Sequence, residues 1–289
     1  MIDGACADAV VAAFFDAVRR DVHLPKVIVL RSFESDPVVY PAMLRHLADT
    51  GRHRELFRIE RPFADRSLGT KKSGSTRKKL RQDWNRLSAV GTVEIVNERT
   101  PAAAEAAFEI FLKLEAASWK GDEGTALLCD AADARFSRRL IHKLAAHDLA
   151  SVALLRVDGD AIAAQVLLYS GQRAYTWKTA FKASFARFSP GVLLADKAIE
   201  AMLESGHVVT VDSCSFPGGF MARLLTGRRT FVDALIDVRP RNALAFAVET
   251  AQHRGYKVVR LMRNRMRHAI RRSGAAAKTA LPNPEWKGF

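Results

Sequence analysis

Three observations in this 289-residue sequence predict a mixed α/β fold. Helix-period and strand-period segments alternate along it. Two tight-turn signals join three successive strands into an antiparallel meander, and a helix and a further strand follow that meander directly.

The elements run as follows. "KVIVLRSF" reads as a strand, "PVVYPAMLRHLADTGR" as a helix closing at Gly51, and "ELFRIERPF" as a strand, a β-α-β fragment. "TRKKLRQDWNRLSAVG" places Leu80, Trp84 and Leu87 on one helical face, with Gly91 past its end. "TVEIV" is a strand. After Pro101, the residues Ala107, Phe108, Phe111, Leu112, Leu114 and Glu115 continue a helix to Trp119-Lys120-Gly121, and "DARFSRRLIHKLAAHD" forms another. "SVALLRV", "AIAAQVLLYS" and "RAYTWKTAF" are separated by Asp158-Gly159-Asp160 and Gly171-Gln172, whose residues tolerate the positive φ of hairpin turns. Then come a helix from Pro190 to Ser205, the strand "VVTVDS", a short helix around "FMARLLTG" and the strand "TFVDALIDV". The C-terminal segment reads as helical with Gly255 as an interruption. There Val259, Met262, Met266 and Ile270 make one face and Arg260, Arg263, Arg267 and Arg271 another, a pattern that packs on its own domain or lies on an anionic membrane.

Composition narrows the class. Hydrophobic residues make up 48% of the chain, ample for a packed core. The three cysteines, Cys6, Cys129 and Cys214, are odd in number and widely spaced, with no histidine at ligand spacing, so neither a disulfide framework nor a metal site is expected. Asp3, Asp8 and Asp16 surround the apolar run Ala9 to Val18 where a signal peptide would carry positive charge, and no window has the length of a membrane span. A cytoplasmic protein is expected, peripheral to the membrane if the C-terminal helix binds it. Of the net charge of +14, residues 66–86 contribute eight Lys/Arg against Asp83, and residues 239–272 ten against Glu249. Basicity is therefore confined to two segments, each able to meet anionic lipid or nucleic acid.

The most informative stretch is "TWKTAFKASFARFSPGVLLADKAIEAMLESGHVVTVDSCS". Ser189 suits an N-cap, Pro190 the first helical position, and Gly191 keeps bulk from the helix mouth. Such a mouth can take phosphate, with Arg187 and Lys182 upstream, or can simply be a well-capped helix start. Neither a P-loop nor G-x-G-x-x-G is present.

"LEAASWKG…GTAL", "YTWKTAFKASFARFSPGVLL" and "VDSCSFPGGFMARLLTGRR" resemble the motifs of the Acetyltransf-6 family of GNAT-type acyltransferases, the CelD/BcsL cellulose-biosynthesis group. "STRKKLRQDWNRL" resembles the basic helix that opens that family's C-terminal GNAT unit. The resemblance covers roughly residues 25 to 240 and extends to the Fem-type aminoacyl transferases. It implies the GNAT fold, a central mixed, mostly antiparallel sheet flanked by helices. Three parts are expected: residues 1–68 as the remnant β-α-β of a truncated first GNAT-like half, residues 69–240 as the acyltransferase domain, and residues 241–289 as a basic helix and tail.

The resemblance also implies a site. Acyl-CoA, most simply acetyl-CoA, would lie between "AYTWKTAF" and "VVTVDS", its pyrophosphate on a loop of Arg187, Ser189, Pro190, Gly191 and Val192, where proline replaces the first glycine of the usual superfamily loop. No metal is implied. Asp212 would serve as the base, or merely cap the next turn. Lys178 would approach the acyl or phosphate group, or be an exposed strand lysine. Trp119, Lys120, Trp177 and Arg223 would line the substrate side, although Trp119 also suits a core and Arg223, like Arg228 and Arg229, a solvated surface. Cys214 lacks a histidine to activate it and reads as structural. Leu224-Leu225 stand where members carry a bulky aromatic. The function implied is acyl transfer to an amine or hydroxyl of a sugar or polysaccharide-related acceptor. Two other readings are aminoacyl transfer from charged tRNA and a non-catalytic basic module for anionic membrane or nucleic acid.

Overall fold

The computed structural model describes residues 4–35, 38–71, 74–239 and 244–253. In chain order these form α1 (Ala7–Arg20), β1 (Val27–Glu34), α2 (Val39–Thr50), β2 (Arg52–Asp65), α3 (Ser75–Ser88), β3 (Val93–Glu98), α4 (Pro101–Ala116) and α5 (Trp119–Asp122). There follow α6 (Ala131–Ala145), β4 (Ala150–Val157), β5 (Asp160–Ser170), β6 (Arg173–Phe181), α7 (Pro190–Glu204), β7 (Thr210–Asp212), α8 (Phe220–Leu224) and β8 (Gly227–Asp237). The class is mixed α/β with a mostly antiparallel sheet flanked by helices, as the sequence predicts. Residues 259–271, to which the amphipathic C-terminal helix was assigned, lie outside the described residues.

Two compact units are present, one from residues 59–231 and one from the described residues on either side. In the flanking unit the strands run β1-β8-β2. Val11, Phe15 and Val18 repeat at helical spacing on α1, and with Tyr40, Met43 and Leu47 of α2 they bury against Val232, Ile236 and Val238 of the last strand region. Arg19 ties α1 to this strand by donating from Nε to the Val238 carbonyl at 2.7 Å. The sequence read Ala9–Val18 only as an apolar run. Its helical face emerges because these late residues cover it.

In the larger unit the order is β8-β2-β7-β6-β5-β4-β3. β3, β4, β5 and β6 pair antiparallel in succession, and β6 pairs parallel with β7. Leu155, Leu167, Leu193, Leu194 and Ile199 belong to a core under α7, while Phe108, Phe111, Val152, Val166 and Ile141 belong to another under α4 and α6. The basic helix α3 is fastened to the first of these. Arg77 forms a two-point pair with the buried Asp196 of α7 at 2.6 and 2.9 Å and also donates to the Thr70 hydroxyl at 2.9 Å. Its buried Asp83 pairs with Lys79 at 2.6 Å and Arg86 at 3.8 Å. Arg77 is thus committed inside the unit, while Lys79 and Arg86 pair with the buried Asp83 and stay more than half exposed.

Candidate acyl-transfer site

The candidate site starts from a short pairing. β6 and β7 align over only three pairs, Arg173 with Thr210, Ala174 with Val211 and Tyr175 with Asp212. β7 ends there, while β6 continues to Phe181. Past Tyr175, backbone groups on that edge of β6 have no β7 neighbour.

Along β6, register decides which side chains face which core. A bulge opposite Val166 and Leu167 leaves Trp177 as the extra residue, since Leu167 pairs with Thr176 and Val166 with Lys178. A bulge shifts alternation by one position. Trp177 packs on the α4 core, and Lys178 reaches the same face instead of the α7 face.

There Lys178 meets Glu115 of α4, whose side chain is 0% exposed, at 2.8 Å. Lys120 reaches the same Oε1 at 3.2 Å, and the Leu127 amide donates to Oε2 at 3.0 Å. Burial pushes the Glu115 carboxyl up, but the Leu127 amide and the two ammonium groups outweigh it, and the net direction is down from its ordinary value. Gly121 is required beside Lys120, because a Cβ there would lie 1.9 Å from the Ala116 carbonyl oxygen. Trp119 is 60% exposed, so it is no core residue. The aromatic sits at the surface because Ser118 caps α5, accepting from the Lys120 amide, and turns Lys120 inward.

Asp212 is 3% exposed, and its Oδ1 accepts the Cys214 amide at 2.7 Å, the capping role that its sequence position allowed. Cys214 keeps surface exposure, yet the packing around its sulfur and the adjacent Asp212 carboxylate push its thiol up to about 11. A thiol so raised is protonated at neutral pH and does not serve as a nucleophile.

The mouth of α7 differs from the expectation for its cap. Ser189 is left-handed at φ 52°, ψ 47° and its side chain makes no capping bond. A capping serine swings its hydroxyl over the first turn from an extended backbone, which this conformation prevents. The Ser189 amide donates to the Ala186 carbonyl at 2.9 Å and the Val192 amide to the Ser189 carbonyl at 3.0 Å, while Pro190 has no N–H. Gly191 is buried against β6, where a Cβ would lie 3.3 Å from Thr179 Cγ2 and 3.4 Å from Phe181 Cδ1. Arg187 lies over the Phe188 ring at 4.7 Å, and Lys79 approaches the Ser189 hydroxyl at 3.5 Å, a cation that sequence reasoning did not assign to this loop. Arg223 is exposed on α8, whereas Arg228 donates to the Ala222, Leu225 and Gly227 carbonyls and so closes the α8 turn.

Acyl-CoA would need an open strand edge for its amide-bearing arm and donors for its phosphates. The free edge of β6 meets the first need. Lys79, Arg187 and the Gly191 amide would answer the second with cations more than with backbone amides. The buried Gln165, which donates to Thr179 Oγ1 at 3.2 Å, has an Oε1 without a partner among the described residues, a spare acceptor beside the same strand. Among the described residues no three His, Cys, Asp or Glu side chains are grouped to hold a metal, and no helix is long and apolar enough to cross a membrane.

Residues 74–215 match the family model described as an acetyltransferase (GNAT) domain. This part of the chain is a GNAT acyltransferase domain. Solved structures with a similar fold include FemX (TM-score 0.56, 10% identity, covering 81% of this chain and 78% of that one). Another is a conserved protein of unknown function from Bacteroides thetaiotaomicron VPI-5482 (0.55, 14%, 79% and 75%). A third is L-PGS from Bacillus licheniformis (0.51, 15%, 86% and 78%). At these identities the likeness concerns the fold. No curated protein matches the sequence. Within the GNAT domain, α4 and α5 supply Glu115 and Lys120, β6 supplies Lys178, and β6 and β7 part after Tyr175 and Asp212.

Proposed function

We propose that the GNAT domain transfers an acyl group, in the simplest case acetyl from acetyl-CoA, to an amine or hydroxyl of a sugar or polysaccharide-related acceptor. The observation that carries this reading is the parting of β6 and β7 after Tyr175 and Asp212, with α7 beginning just beyond β6. A thioester laid along the free edge of β6 would present its carbonyl near the bulge at Trp177. The acceptor's nucleophile attacks that carbonyl, the tetrahedral intermediate collapses with cleavage of the C–S bond, and the thiolate leaves and takes up a proton from solvent. Asp212 accepts the nucleophile's proton, and Lys178 supplies positive charge on the acceptor side. Arg187 and Lys79, with the Gly191 amide, hold the donor's phosphates beside Ser189, Pro190 and Val192, whose own amides are engaged or absent, and Trp119, Trp177 and Arg223 line the acceptor. The sugar class rests on the resemblance of motifs to the CelD/BcsL group.

A second reading is acyl transfer from charged tRNA. The mouth of α7 favours it, since the Ser189 and Val192 amides are engaged and Pro190 has none to offer a pyrophosphate. FemX and L-PGS share the fold. Isothermal titration of the whole protein with CoA and acetyl-CoA, beside a tRNA gel shift across a salt series, separates the two. Saturable CoA binding supports the first, tRNA binding without CoA binding supports the second, and binding of neither overturns both.

A further inference from the structure

Resting on the acyl-transfer reading above, we propose that Lys120 and Lys178 form one anion-binding site for a carboxylate or phosphate group on the acceptor, with Glu115 beneath them as its positioning residue. Both ammonium groups converge on a single oxygen, Glu115 Oε1, at 3.2 and 2.8 Å, so they lie close enough to clasp one anion. The charges do not cancel: two cations share one carboxylate, whose other oxygen is taken by the Leu127 amide. Burying an excess charge is costly unless something pairs with it, and here that excess is half-buried.

Donors are also in surplus. Each ammonium carries three N–H groups. Among the described residues their acceptors are Glu115 Oε1 for both and, at 3.5 Å, the Thr179 carbonyl for Lys120. The two side chains remain 22–23% exposed, so a ligand can reach them while the carboxylate below stays sealed. Three separate devices bring them to one point: the β6 bulge that turns Lys178, the Ser118 cap that turns Lys120, and the Leu127 amide that fixes Glu115. The exposed Trp119 indole on the same short helix offers a flat apolar surface for the ring that carries the anionic group. An acidic sugar or a sugar phosphate combines these features.

The test uses the whole protein, labelled at lysine with an N-hydroxysuccinimide ester and followed by mass spectrometry at constant ionic strength. It is run in chloride, in inorganic phosphate and in acetate. Labelling of Lys120 and Lys178 is expected to slow about threefold when the bound anion is present at twice its Kd, while Lys197 labels unchanged. Stronger protection by phosphate assigns a phosphate-bearing acceptor, and stronger protection by acetate a carboxylate-bearing one. In Lys120→Met, which keeps the Lys178–Glu115 pair, protection at Lys178 should vanish. Equal labelling in all three media, or undiminished protection of Lys178 in Lys120→Met, overturns the site. Anion protection without CoA or tRNA binding would leave the site standing and remove the acyl-transfer reading, whereas CoA binding without anion protection would do the reverse.

Discussion

Lys178 and Glu115, 63 residues apart in sequence, meet at 2.8 Å with the carboxylate sealed from solvent. Removing the charge while keeping the shape, by Glu115→Gln, leaves two half-buried cations without their counter-ion. The expected cost is about 3 kcal/mol, measured by urea unfolding. Its pH dependence has a defined sign. The folded Glu115 pKa is held below its ordinary 4.5, so its stabilisation is fully present above that value and is lost as pH falls below it. The stability gap between wild type and Glu115→Gln should therefore be constant near neutrality and narrow in acid; a gap that widens below pH 4.5 would contradict the assignment.

Arg77→Lys should destabilise nearly as much as Arg77→Met. A lysine cannot reproduce the two-point contact with Asp196 together with the Thr70 bond, and Asp196 is buried. The expected loss is about 3 kcal/mol for Arg77→Met, and a double-mutant cycle with Asp196→Asn should show strong coupling. Additive effects would show that the pair contributes nothing.

Asp212→Asn retains the oxygen that accepts the Cys214 amide. Its melting temperature should stay near wild type while acyl-transfer turnover falls by about a hundredfold or more. Asp212→Ala should lose both turnover and about 1 kcal/mol of stability. Wild-type turnover in Asp212→Asn would reduce the residue to a cap.

Cys214 should alkylate slowly with iodoacetamide at pH 8, because a thiol at about 11 is only about 0.1% thiolate there. The rate should keep rising past pH 10, and Cys214→Ser should retain acyl transfer. A rate that levels off near pH 9 would contradict the raised pKa.

Gly121→Ala should unseat Lys120, since the added methyl meets the Ala116 carbonyl at 1.9 Å and a backbone atom cannot move aside cheaply. A loss of about 2 kcal/mol or more, read from thermal melting, is expected.

The meander was readable because Asp158-Gly159 and Gly171-Gln172 punctuate apolar runs, and the turns at Asp158 and Gly159 do take positive φ. Lys178, Lys120 and Trp119 were readable as a group only through motif resemblance. That the two lysines gather on Glu115 was not, although a signal existed: Glu115 follows Phe108, Phe111 and Leu112 on a helix face that is otherwise apolar, a place where a charge needs a partner. The bulge at Trp177 leaves no mark in the residues, because neither glycine nor proline makes it. The ends of β7 were overestimated for a similar reason. "VVTVDS" reads as strand from its three valines, but only Thr210–Asp212 is paired as strand; Val209 and Ser213 make single backbone bonds, to Gln172 and Pro62, at its ends.

The burial of Val232, Ile236 and Val238 against α1 and α2 bears on how the chain is made. A ribosome releases the apolar faces of α1 and α2 first and their covering strand only after the whole GNAT domain has been synthesised. At ordinary elongation rates that interval is roughly 10–30 s. The first fifty or so residues then depend on a holding chaperone or on transient contacts, and a stalled or prematurely terminated product exposes them for good. Sensitivity to protein quality control is thus written into the order of the sequence, independently of any activity.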